Sequence, residues 1–165
     1  MHTASVAQFA QMLNNMKAWF DKAEAHADAK KFDTAVYLTM RLAPDMLPLA
    51  RQVQMASDSA KFAVARLTGS EAPKFEDNET TLAELRTRVQ RTIDYILSVP
   101  AAQFDGTDTK EVTLPRRDGP ITFEGETYLR RFALPNFFFH VTTTYALFRH
   151  AGVDVGKSDF LGSLR

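Results

Sequence analysis

Every one of the seven glycines lies at or beyond Gly69, so the first 68 residues run without the commonest helix stop. The same stretch is rich in Ala, Met, Leu, Lys and Gln, residues that lose little on entering a helix. The amino-terminal half is therefore expected to be helical. Ser5 with Gln8 has the spacing of a capping box. Val6, Phe9, Leu13, Met16, Phe20 and Ala23 then recur at helical steps, which predicts a first helix over about Ser5 to Ala27. A short irregular or helical passage around Phe32 to Leu42 ends at Pro44. Asp45, Met46 and Pro48 suit the first turn of a second helix. Its apolar stripe of Leu49, Val53, Ala56, Ala60, Val64 and Leu67 stops at Gly69, a length of about 36 Å at ~1.5 Å per residue.

The stretch Ser70 to Asn78 reads as a loop, and Thr81 with Glu84 forms another capping-box pattern. The third helix carries Leu82, Leu85, Val89, Ile93 and Ile96 on one face and closes at Pro100. Glu111 to Leu114 and Pro120 to Phe123 are β-prone around Asp118-Gly119, which predicts a small hairpin projecting from the bundle. Tyr128 to Phe132 reads as a helical lead-in, and Pro135 marks a break or kink by restricting Leu134. The fourth helix runs to about Ala151. Gly152 and Gly156 end it, and a tail through Phe160 and Leu161 packs back on the bundle. The expected fold is all-α: a four-helix bundle forming one domain over residues 1–165, with a hairpin inserted before the last helix.

Twenty basic residues balance twenty acidic ones, so no net field favours nucleic acid or anionic lipid. No secretion signal and no membrane span is read. The absence of cysteine excludes disulfides, thiolate metal sites and a cysteine nucleophile, and fits the cytoplasm. Gly152-Val-Asp-Val-Gly156-Lys157-Ser158 has three residues between its glycines where a phosphate loop needs four, and a helix precedes it where that motif has a strand. None of Ser57, Ser59, Ser98 and Ser158 stands in a nucleophile-elbow context. The chain also lacks the Glu-x-x-His pair of di-iron bundles. Arg86, Arg88 and Arg91 read as a solvated face. Trp19, Phe62 and the run Phe137 to Phe139 read as core or dimer interface.

The polar line on the fourth helix holds the most chemistry. Asn136, His140 and Thr144 are spaced by four on an otherwise apolar helix. His140 is either a satisfied core histidine bonded to a side chain of the second or third helix, or a ligand or proton-transfer group in the bundle core. His150 is roughly 15 Å along the axis from His140, so the two cannot share a metal. Asp45 at the start of the second helix complements the helix dipole, and Arg41 stands where it can pair with it.

The run Leu129-Arg-Arg-Phe-Ala-Leu-Pro-Asn-Phe-Phe-Phe-His140, continuing through Val141 to Gly152 and to Asp159-Phe-Leu-Gly162, resembles a bacterial family, domain of unknown function nineteen ninety-three. Arg41-Leu-Ala-Pro-Asp-Met46 followed by Leu49-Ala-Arg-Gln-Val53 resembles its second signature. The family is similar to a branch of the DinB/YfiT-like superfamily. That resemblance implies an up-down-down-up bundle, frequently a homodimer, and a divalent metal held by one histidine from the second helix and two, spaced by four, from the fourth. Phe148-Arg149-His-Ala-Gly152 resembles the superfamily's closing motif, which puts His140 at the second position of the fourth helix and Asn136 at the first. The second-helix position is no histidine either, with Asp45 the nearest substitute. Two of the three expected ligands are altered. Either the metal is lost, or a weaker oxygen-rich site remains that takes zinc, nickel or manganese under some conditions through His140 and Asp45.

Two readings follow. In one, the bundle binds a small molecule or a metal, with His140 as ligand or base and with Asn136, Asp45 and Tyr145 orienting the substrate. In the other it is a non-catalytic dimeric bundle, with His140 and Asn136 tying helices together.

Overall fold

A computed structural model describes residues 1–163. Four long helices form the bundle: α1 (Gln8–Lys30), α3 (Leu49–Thr68), α4 (Leu82–Ser98) and α6 (Leu134–His150). Between α1 and α3 lies the single turn α2 (Ala35–Leu38). Strands β1 (Glu111–Leu114) and β2 (Ile121–Glu124) pair antiparallel, with Val112 opposite Phe123. The turn α5 (Gly125–Tyr128) leads into α6, and α7 (Lys157–Leu161) closes the described chain. No described helix is long and apolar enough to cross a membrane.

Side-chain pairs between helices set their directions. Arg86 of α4 reaches Asp21 and Glu24 of α1 while Gln90 meets Lys17, so α1 and α4 are antiparallel. Asp58 pairs with Arg88, and Ser70, just past the end of α3, with Tyr95, so α3 and α4 run parallel. Gln52 meets His140 while Ser59 meets Asn136, so α6 returns antiparallel to α3. The bundle is thus up-down-down-up, with α1 next to α4, α4 next to α3, α3 next to α6, and α6 back against α1. Two consecutive parallel helices require a connection that retraces a helix length. Residues 69–81 supply up to about 43 Å of extended chain, enough to return along the ~30 Å of α3.

The apolar stripes read from the sequence are the core: Phe9, Leu13, Met16 and Phe20 of α1, and Leu49, Val53, Ala60 and Val64 of α3, are all fully buried. Gly69 ends α3 in the left-handed region at φ 81°, and Thr81 with Glu84 forms the expected reciprocal cap on α4. The tail docks as expected. Phe160 stacks on Trp19 at 5.7 Å, and the Trp19 indole donates to the Asp159 carbonyl at 3.0 Å. The apparent phosphate loop is spent on this docking, with the Gly156 amide donating to the Asp159 carboxylate at 2.8 Å.

Several expectations are corrected. Ser5 caps nothing: it is buried in a wide turn over Thr3–Ala7, and its hydroxyl donates to the Met1 and His2 carbonyls. The second long helix starts at Leu49, not at Asp45, because Pro48 is extended (φ −71°, ψ 166°) and excludes Leu47 from helical geometry. Pro135 makes no break. Leu134 keeps helical angles (φ −64°, ψ −49°), and the wide turn Leu129–Ala133 ahead of it gives the ring room where a tight turn would clash. Arg88 is not solvated but 2 % exposed, inside an ion network that fastens the crossover. Phe139, in contrast to its neighbour Phe137, is 56 % exposed.

Candidate functional site

The polar line of α6 faces α3. Gln52, buried on α3, donates from its amide nitrogen to the Leu47 carbonyl at 3.1 Å, so its oxygen is the acceptor toward His140. His140 therefore donates from Nδ1 to Gln52 Oε1 at 2.8 Å, and Nε2 is the unprotonated nitrogen. Four residues earlier, Asn136 donates to Ser59 Oγ at 2.6 Å, and Ser59 passes its own proton to the Met55 carbonyl at 2.6 Å. Thr144 bonds back to the His140 carbonyl at 2.9 Å and stays within α6. Asn136 and His140 thus tie α6 to α3, each through one neutral hydrogen bond.

Burial lowers the His140 pKa below its ordinary 6.5. The unfolded chain, with His140 near 6.5, then binds more protons than the folded one in the window between the two values. Stability from keeping this ring neutral is fully present above about pH 6.5 and is lost as pH falls toward the folded value. Melting temperatures of the parent and His140→Gln should therefore converge between about pH 7.5 and about pH 5.5. Parallel profiles would place the ring in solvent.

The other expected site residues lie elsewhere. Asp45 is exposed in the connection before α3, and Arg41 donates to the Met46 carbonyl; no Arg41–Asp45 ion pair forms among the described residues. Tyr145 is five residues from His140, about 140° around the helix. Its ring packs edge-on against Trp19 and Phe160, and its hydroxyl donates to the Val155 carbonyl, so it serves the docked tail. The metal set that the resemblance implies does not fit these residues. Gln52, not Asp45, is the α3 side chain opposite His140, and Asn136 is a neutral amide committed to Ser59. Among the described residues no group of three or more His, Cys, Asp or Glu side chains could hold a metal ion.

Beside the Asn136–Ser59 tie opens a cleft of about 410 Å³. α3 contributes Met55, Ser59, Phe62 and Arg66 to one wall, at the helical steps of a single face. Tyr128, Phe132 and Asn136, again spaced by four, form the opposite wall, and Arg116 reaches in from the hairpin turn. Arg66 donates to the Tyr128 hydroxyl at 3.2 Å and lies 5.2 Å from the Phe62 ring centre. Arg116 lies 5.2 Å from the centre of Phe132. Burial raises the Tyr128 phenol above its ordinary 10.0, with Arg66 pulling the other way, so the group is a neutral hydroxyl at pH 7. Of this cleft only Asn136 is among the binding groups expected from the sequence. The two helical ladders that face each other, Met55 to Arg66 and Tyr128 to Asn136, are the available signal.

A second cavity of similar size, about 440 Å³, lies under the crossover between Phe75 and α4. Its Lys74, Arg88 and Arg91 are offset by Glu76, Glu79 and Glu84, and Arg88 is already paired.

A family model described as domain of unknown function, DUF1993, matches residues 1–161. The chain belongs to the DUF1993 family. This DUF1993 chain is also similar to a solved structure, that of a DinB family member protein from Shewanella denitrificans. The two share 47 % identity and a TM-score of 0.94, over 99 % of this chain and 92 % of that one. The bundle is therefore DinB-like. No curated protein matches the chain.

Proposed function

We propose that this DUF1993 protein binds a small organic molecule in the cleft between α3 and the α5–α6 arm, with Asn136 and Ser59 at its floor. One observation carries the reading: polar groups from α3, the hairpin turn, α5 and α6 converge on a concavity whose walls include Phe62 and Phe132. Its volume falls within the range of small-molecule sites, about 300–1,000 Å³. His140 acts as a tie beneath the site rather than as a metal ligand. A homodimer and a cytoplasmic location go with this proposal: Phe139 keeps apolar surface on α6, and a chain without cysteine suits a reducing compartment.

A fragment screen read by amide chemical shifts is expected to converge on Ser59, Phe62, Tyr128 and Asn136. Ser59→Phe, which fills the floor, should weaken those hits at least about tenfold, the equivalent of ~1.4 kcal/mol. Hits that cluster under the crossover, or hits unaffected by Ser59→Phe, would refute it.

A further inference from the structure

Arg66 and Arg116 share a property that Lys61 and Arg88 lack. Neither has a carboxylate within 4.0 Å among the described residues. Among the described residues Arg66, half-buried, is bonded only to a neutral phenol, while Arg116 is exposed over an aromatic face. The one acid that lines the cleft, Asp58, does not neutralise them. Its Oδ1 is held at 2.9 Å by Lys61 and at 2.9 Å by Arg88. The cleft therefore presents two guanidinium groups whose charge nothing in its walls balances.

The neutral groups complete the pattern. The Tyr128 hydroxyl accepts from Arg66, which leaves its proton to donate, and an Arg fork beside a phenol O–H suits the planar oxygens of a carboxylate. Met55, Phe62 and Phe132 offer the rest of the volume to an apolar body. We propose that the ligand is a small organic carboxylate with a compact apolar or aromatic body, its anionic group held between Arg66, Tyr128 and Arg116. This rests on the cleft being the binding site. Arg116 comes from the turn between β1 and β2, so the hairpin is the element that brings the second charge to the ligand.

Benzoate and its neutral counterpart benzamide are the probes, titrated into the full chain and followed at the Ser59, Tyr128 and Asn136 amides. Hydrogen bonds to charged groups are worth more than neutral ones, so benzoate should bind about tenfold more tightly than benzamide. Binding should also weaken as salt is raised. Arg116→Met, a change at an exposed turn, and Arg66→Met should each weaken benzoate about fivefold to tenfold and leave benzamide unchanged. Arg66→Lys keeps the charge without the fork, and recovery of only part of the loss would support bidentate contact. Equal binding of benzoate and benzamide at these residues would overturn the carboxylate while leaving the cleft a binding site. Inorganic phosphate binding as tightly as benzoate would overturn the apolar body. If neither organic probe moves these amides, both the carboxylate and the cleft reading fail.

Discussion

Replacing Arg88 by methionine is expected to destabilise the fold by about 3 kcal/mol, because it removes a buried guanidinium shared by three carboxylates, of which Glu79 is largely buried. The Arg88 guanidinium donates at 2.9 Å to Asp58, at 3.0 Å to Glu79 and at 3.3 Å to the Glu76 carbonyl, and it forms an ion pair with Asp77 at 2.9 Å. The side chain of Glu79 is only 10 % exposed, so its charge stays largely buried when the arginine is gone. Among the described residues Arg88 Nε is buried without a partner, which lessens what the network contributes; Asp58 keeps Lys61 and Asp77 keeps Arg51, so the expected loss comes chiefly from Glu79, left with the neutral Gln54 amide. For a chain of this size the loss corresponds to a fall of about 9 °C in melting temperature. Arg88→Lys should recover only a part, since one ammonium cannot span Asp58 on α3 and the acids of the crossover together. Thermal and denaturant melts check this, and a shift under about 2 °C would mean that these charges are solvated.

The network also sets the response to acid. Burial raises the Asp77 carboxyl, but the hydrogen bond from Arg51 and the charges of Arg88 and Arg51 outweigh it and leave the pKa below its ordinary 3.8. Stability from this group is present above that ordinary value and is lost as pH falls through the folded one. Around Phe75 three cations gather, Lys61 and Arg91 within 4.6 Å of the ring centre and Arg88 at 5.2 Å. The aromatic ring thereby helps seat the crossover on α3 and α4.

The helices of this bundle were legible because their information is local. Leu49, Val53, Ala60 and Val64 repeat at helical steps, Gly69 stops them, and Thr81 with Glu84 begins the next helix. The parallel run of α3 and α4 was not read from the spacing of residues, since it depends on where the crossover lands. The resemblance supplied the up-down-down-up order instead. Arg88 was misread for the same reason: it follows Leu85 by three and precedes buried Thr92 by four, so it stands on the core-facing side, but its counterions come from α3 and the crossover. Asp45 was misplaced by the first of two prolines, when it is the second, Pro48, that precedes the helix. His140 and Asn136 stood out as polar residues on an apolar helix. Their partners Gln52 and Ser59 did not, being ordinary polar residues 88 and 77 positions away. The cleft was the least legible feature because Arg66, Arg116 and Tyr128 meet only after the hairpin folds against the bundle.

That meeting depends on Gly125, and Gly125→Ala is expected to cost about 3 kcal/mol, at the upper end of what overpacking usually costs. A Cβ built there would lie 1.8 Å from the Thr107 carbonyl oxygen and 3.2 Å from Leu67 Cδ2. The first contact is with backbone, which no side-chain rotation relieves. Gly125 has no positive φ, so the requirement is space and not backbone freedom. The surroundings are also fixed: Thr107 is 3 % exposed, and the Glu126 amide donates to the Asp108 carbonyl at 2.9 Å, which holds 104–108 against the start of α5. A methyl group must therefore push β2 and α5 away from that segment, and Arg116 moves with the hairpin. Thermal melts measure the cost, and a double variant separates its two sources. Leu67→Ala removes the softer contact alone, so it should not rescue Gly125→Ala if the carbonyl is the obstacle. A double variant that melts no lower than Leu67→Ala alone would assign the clash to Leu67 and free the hairpin from this constraint. In the carboxylate titration Gly125→Ala should weaken benzoate in the same sense as Arg116→Met, because both withdraw the same guanidinium, one by removing it and the other by displacing the turn that carries it.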